Sequence, residues 1–182
     1  MVTEEMISTT KSQLHNYIMA KWLAEDVFST RWWFMIAGIV LSYIVVFWIL
    51  DKRRYTELLF FGSLVTVTSL VYTILGSNLD LWSYNIRILP TTPSPFLYDL
   101  TIIPLYYMLV YQYSPDWKRF LLWNAVLAGL ISFAFYPALL VFDIVNFSNG
   151  WIPAYFFPFI FISSLIARVV LIATLNLKQK NE

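Results

Sequence analysis

Apolar and polar positions alternate on a coarse scale along this chain. Five long apolar runs fill it from Trp32 to about Leu175, at 32–50, 58–75, 96–113, 120–142 and 152–175, with short polar stretches between them. The first run, Trp32 to Leu50, has 19 residues and would rise roughly 28 Å as a helix, about the thickness of a hydrocarbon core. Trp32, Trp33 and Trp48 stand at its ends, where indole rings favour the headgroup boundary. The pattern predicts an all-α fold: an integral membrane five-helix bundle over 32–175, with a short cytoplasmic tail at 176–182.

Residues 1–31 read differently. Within 3–29, Leu14, Ile18 and Trp22 recur at steps of four, with Leu23 and Val27 beside them, while Lys11, Lys21, Glu25 and Asp26 take other faces. That predicts an N-terminal amphipathic helix at the membrane interface. The spacing of Thr10 and Gln13 fits a capping box. The arm is polar and the first apolar run ends at Asp51-Lys52-Arg53-Arg54 without a small-residue cleavage pattern, so that run is expected to be retained as a span.

Between the second and third runs, Trp82 to Ile88 alternates apolar and polar side chains, the period of an extended segment. Prolines interrupt the later spans. Pro153 falls in a first turn, while Pro104, Pro137 and Pro158 are expected inside their helices, kinking them by removing an N–H and pressing on the carbonyls of Leu100, Phe133 and Ala154. Neighbouring helices are then needed to satisfy those carbonyls.

Charge gives the orientation. With five spans, Lys52, Arg53, Arg54, Lys118, Arg119, Lys178 and Lys180 fall on one side and Lys11, Lys21, Arg31 and Arg87 on the other. The positive-inside rule puts the C-terminus in the cytoplasm and the N-terminus outside. The net charge of +1 offers no field for nucleic acid. With no cysteine and a single histidine, His15, thiol chemistry and two-histidine sites are excluded. No span holds a lysine or a pair of carboxylates, and no phosphate loop or zinc motif is present, so no catalytic residue, metal or cofactor is expected.

Ionisable groups inside spans are the remaining candidates for function. Asp99 stands about one turn inside the outer end of span three, and Arg168 lies well down span five. They sit near opposite faces, ~15 Å apart in depth, and are not expected to pair. Asp99 is expected to meet Arg87, and Arg168 to reach Glu57 or Asp51 or to snorkel to the inner headgroups. Asn124 and Gln112 are amides that bond across helices. Tyr106 and Tyr107 lie deep enough to line a cavity.

The stretches Asp51-Lys52-Arg53-Arg54, Ile103-Pro104-Leu105-Tyr106-Tyr107-Met108-Leu109-Val110-Tyr111-Gln112-Tyr113, Trp117-Lys118, Ser132-Phe133, Trp151 and Tyr155-Phe156-Phe157-Pro158 carry a resemblance. Over about Trp32 to Arg168 the chain resembles an uncharacterised family of small multi-span membrane proteins from spore-forming Gram-positive bacteria. The family pattern places an acid before the proline of span four, where this chain has Tyr136. The resemblance implies the bacterial cytoplasmic membrane and brings no known reaction. The expected function is non-enzymatic: a scaffold or small sensor subunit. Its partners would be the lipid bilayer and another membrane protein or a second copy of the chain. The competing expectation is a small transporter or channel, with Asp99 and the kinked spans three to five lining a path. A lipid-modifying enzyme is the third.

Overall fold

The computed structural model describes residues 2–94 and 98–181. The chain is mostly helical, 78%. Helix α1 spans Glu4–Lys21 and runs into a π turn, Trp22–Asp26. Its cap is Thr3, whose hydroxyl accepts the Met6 N–H at 3.3 Å, with Glu4 and Glu5 placed favourably for the helix dipole. The cap is therefore not at Thr10, which lies mid-helix and donates to the Met6 carbonyl. Nor does the helix reach residue 29, because the backbone turns extended after Asp26 and Phe28 takes a positive φ of 62°. Ser29 then caps α2, Thr30–Ile49.

A 3-10 turn, Lys52–Arg54, leads into α3, Tyr55–Asn78. After it, β1 (Trp82–Tyr84) pairs antiparallel with β2 (Val145–Phe147), Trp82 facing Phe147 and Tyr84 facing Val145. The mostly helical fold thus carries one short two-stranded ribbon in addition. The alternating segment is strand only over its first three residues, and it binds a second loop instead of lying alone at the interface.

A second π turn, Tyr98–Ile102, continues as α4, Ile103–Gln112. The expected start of span three at Phe96 lies outside the described residues. Helix α5 (Trp117–Leu130), a third π turn (Ile131–Phe135) and α6 (Tyr136–Val141) form one continuous rod. A 3-10 turn, Pro153–Tyr155, starts α7, Phe156–Asn181. Helix α7 thus takes in most of the expected tail.

The three kink predictions resolve in two ways. Pro104 and Pro137 each follow a π turn directly, so the missing N–H falls where the hydrogen-bond ladder is already shifted. Pro158 is the third residue of α7, where N–H groups lack an intrahelical acceptor anyway. The 3-10 turn of Pro153–Tyr155 leads directly into this first turn.

Four helical stretches among the described residues are long and apolar enough to cross a membrane: Thr30–Ile49, Lys52–Asn78, Trp117–Val141 and Pro153–Leu177. The Tyr98–Gln112 segment is shorter, and packs along α3. Helix α3 is the centre of the bundle, against α4 and α7, while α5 packs on α7 and α4. Phe61, Tyr107, Phe120 and Leu171 are fully buried between them. In an apolar solvent such contacts stabilise through close packing. Gly62 shows how close: a Cβ there would stand 2.8 Å from the Met108 sulfur.

Candidate functional site

The polar groups of the interior gather at the two ends of the bundle and in one layer between them. At the ribbon end, Asp26 is the organising residue and is fully buried. Its carboxylate accepts the Lys21 ammonium at 2.9 Å and the Arg87 backbone N–H at 3.1 Å. The π turn makes this reach possible, because it brings residues five apart onto one line. Lys21 also donates to the Asn85 carbonyl at 2.6 Å. The indoles of Trp22 and Trp32 donate to the carbonyl of Ile88, both at 3.2 Å. Thus the end of α1 and the start of α2 are fastened to residues 85–88. At the edge, Arg31 pairs with Asp143 at 2.9 Å, and the Asn85 amide donates to the same carboxylate at 2.6 Å. Those two donors hold the Asp143 carboxyl below its ordinary range. Asp26 was expected on a charged outer face. Nothing in the spacing of a regular helix marks it as buried.

Asp99 lies deeper at the same end and is 3% exposed. The Thr73 hydroxyl donates to it at 2.7 Å. Tyr84 is buried beside them, its phenol pushed above the usual range by burial and then by the Asp99 charge. Asp99 forms no ion pair with Arg87 or with Arg168 among the described residues. The Arg87 expectation fails because its backbone is tied to Asp26 and Trp22. Its half-buried guanidinium lines a cavity of about 170 Å³ with Asp80, Ser77 and Thr91. Burial pushes the Arg87 pKa down, against the pull of Asp26.

The opposite end is basic. Arg54 grips Glu57 at 2.8 and 3.1 Å, and the Tyr111 hydroxyl donates to the same carboxylate at 2.5 Å. Gln112 clamps the α2–α3 turn, accepting the Asp51 N–H at 2.8 Å and donating to the Ile49 carbonyl at 3.2 Å. Arg168 donates to the carbonyls of Ser114 at 2.9 Å and Pro115 at 3.2 Å. Its guanidinium lies over the rings of Phe120, Trp117 and Tyr111, at 4.4, 4.9 and 5.5 Å. It therefore reaches neither Glu57 nor Asp51: the first is taken by Arg54 and Tyr111, and the second accepts the Arg53 N–H. At 4% exposure it does not snorkel either.

No family model, curated protein or solved structure matches this chain. The chemistry is therefore read from geometry. The middle layer joins three helices: Tyr107 donates to Asn124 at 3.1 Å, and Asn124 donates to the Phe161 carbonyl at 3.1 Å. Asn124 and Gln112 thus both bond across elements. Between the layers stand buried apolar side chains such as Phe61, Val65 and Leu171. The arrangement binds segments to one another at three levels. The sequence places Thr73 among hydroxyls able to bond across helices, but does not mark Asp26 as buried or Tyr111 as the partner of Glu57. For Asp26 the one usable signal was Lys21 five residues before it.

Proposed function

We propose that this chain is a non-enzymatic component of the bacterial cytoplasmic membrane, a scaffold or small sensor subunit that binds another membrane protein. The observation that carries this reading is the arm. Helix α1 is anchored at its last turn by Lys21, Trp22 and Asp26, and only Ile18 of its 18 residues is buried. Met6, Ile7, Leu14 and Tyr17 are exposed along it. The fold leaves an ordered helix unused, and a rigid, prepaid helix lowers the ordering cost of association.

Five crossings complete the proposal, with the N-terminus outside and the C-terminus in the cytoplasm. The Tyr98–Gln112 segment supports the fifth, since Asp99 meets α3 at Thr73 while Gln112 meets the turn that precedes α3. Lys52, Arg53, Arg54, Lys118 and Arg119 all fall at the latter end, which supports a cytoplasmic assignment for it. The resemblance to the family of spore-forming bacteria points to the same membrane.

The test is purification in mild detergent at native expression, with mass spectrometry of what accompanies the chain. A stoichiometric membrane protein is expected with the wild type and is lost in Leu14→Glu/Tyr17→Glu, while the melting temperature holds. A partner that survives the double substitution, or none at all, defeats the reading. A small transporter is the second reading, favoured by one observation: the Asp99 carboxylate is buried with a hydroxyl donor and, among the described residues, forms no ion pair. In that case protein in liposomes moves an ion or solute and Asp99→Asn abolishes the flux.

A further inference from the structure

We infer that the seam between α2 and α3, at the basic end, is a binding site for one anionic phospholipid. Helix α2 packs on α4 and on the turn before it, and hardly touches α3. The gap is walled by Tyr43 and Phe47 of α2 and by Leu59 and Ser63 of α3, with Pro104 and Met108 of α4 as its floor, and holds about 150 Å³. A second space of about 340 Å³, lined by Phe47, Leu50, Tyr55 and Lys52, lies toward the charged turn. Phe47 lines both, so the two hollows adjoin along α2 between mid-bundle and that turn.

The lining is apolar at Phe47 and Leu50 and carries hydroxyls at Tyr43, Ser63 and Thr66. The Ser63 hydroxyl donates to the Leu59 carbonyl and Thr66 to the Gly62 carbonyl, so their polar hydrogens are spent on their own helix. Beside them, the rings of Phe47 and Tyr55 and the side chains of Leu50 and Leu59 give the apolar surface an acyl chain matches. The mouth is the opposite. Lys52 and Arg53 are exposed and make no ion pair among the described residues, whereas Arg54 beside them is committed to Glu57. Of the acids near the turn, Glu57 is held by Arg54, and Asp51 is exposed and accepts the Arg53 N–H. Lys52 on the lining, with Arg53 next to it in the turn, fits a phosphate whose chain lies along the slot. The inference rests on membrane placement and is independent of any protein partner.

Native mass spectrometry of the full chain in detergent, titrated with phosphatidylglycerol and with phosphatidylcholine of identical chains, tests it. The wild type should retain phosphatidylglycerol more tightly, and Lys52→Gln/Arg53→Gln should lower that retention by roughly 10- to 30-fold, to the phosphatidylcholine level. Both positions are exposed, so this variant folds. Ser63→Phe, which places a ring in the slot from an exposed position, should remove retention of both lipids. Equal retention of the two lipids by the wild type overturns the site. Unchanged binding in Ser63→Phe does so too, as does competition by glycerol phosphate as strong as by the intact lipid, which would mean an anion site without a chain.

Discussion

The two ends of the bundle solve the same problem, polar groups at the edge of an apolar solvent, by different means. At the ribbon end, the partners are far apart in sequence. Asp26 is held against Arg87, Lys21 against Asn85, Trp32 against Ile88, and β1 against β2. At the basic end, Arg54 finds Glu57 three residues on, and Arg168 uses carbonyls and ring faces instead of a carboxylate. The difference teaches where cooperativity lies. The ribbon end closes only when four segments meet at once, whereas the basic end joins its segments in separate contacts, Tyr111 to Glu57, Gln112 to residues 49 and 51, and Arg168 to residues 114 and 115. Loss of one group should therefore spread at the first end and stay local at the second.

The largest break of that contrast is Gly76→Ala. A Cβ at Gly76 would lie 1.9 Å from the Trp82 ring. Trp82 is 2% exposed, wedged against Tyr72 at 5.3 Å and Phe156 at 5.0 Å, and has nowhere to move. Overpacking of this kind costs about 3 kcal/mol. The melting temperature should fall on the order of 10 °C, and hydrogen exchange should rise across β1, β2 and 85–88 together. A melting temperature unchanged from the wild type would show that Trp82 does not hold the ribbon down.

Asp26→Ala comes next. It leaves Lys21 and the Arg87 N–H without their buried acceptor, at a cost of about 2 kcal/mol, reduced because Lys21 keeps partial access to water. Exchange should rise at 85–88 and in α1, with the basic end unaffected. Equal change at both ends would erase the comparison. On the basic side, Arg168→Lys gives up the planar fork that serves two carbonyls and three rings, at about 1–2 kcal/mol. Its exchange signature should be confined to the α4–α5 connection around Ser114 and Pro115.

The same contrast explains what the sequence made legible. The apolar runs at 32–50, 58–75, 120–142 and 152–175 locate the four long helices because burial in lipid writes itself as composition. Pro104 and Pro137 fall just after π turns, and composition carries no sign of those turns. The ribbon is the opposite case. The period-two signal at Trp82–Ile88 is real, yet its partner Val145–Phe147 lies about sixty residues on in a loop with no comparable alternation. Asp26 was misplaced because helical periodicity assumes 3.6 residues per turn, and the π turn rotates it inward. Arg168 was misassigned because a carboxylate is a visible partner in a sequence, whereas backbone carbonyls and ring faces are everywhere in it.

The smallest effect sharpens the comparison at its edge. Asp143 is exposed, and its carboxyl is held below the ordinary value first by Arg31, then by Asn85, with Lys21 adding a weaker pull. Its folded pKa is lower than its unfolded pKa of about 3.9, so the ionised form favours the folded state. That contribution is fully present above the unfolded value and disappears as pH falls through the folded one. Asp143→Asn keeps the shape and removes the charge. At neutral pH it should lower the melting temperature by about a degree, as for an exposed pair. As pH falls below about 4 the wild type should lose this advantage progressively and the two curves should converge. Melting curves recorded in detergent across that range decide it. A gap that persists at the acid end would mean that Asp143 acts through the Asn85 hydrogen bond and not through its charge, and the ribbon would then be fastened at its rim as it is at Asp26, by geometry.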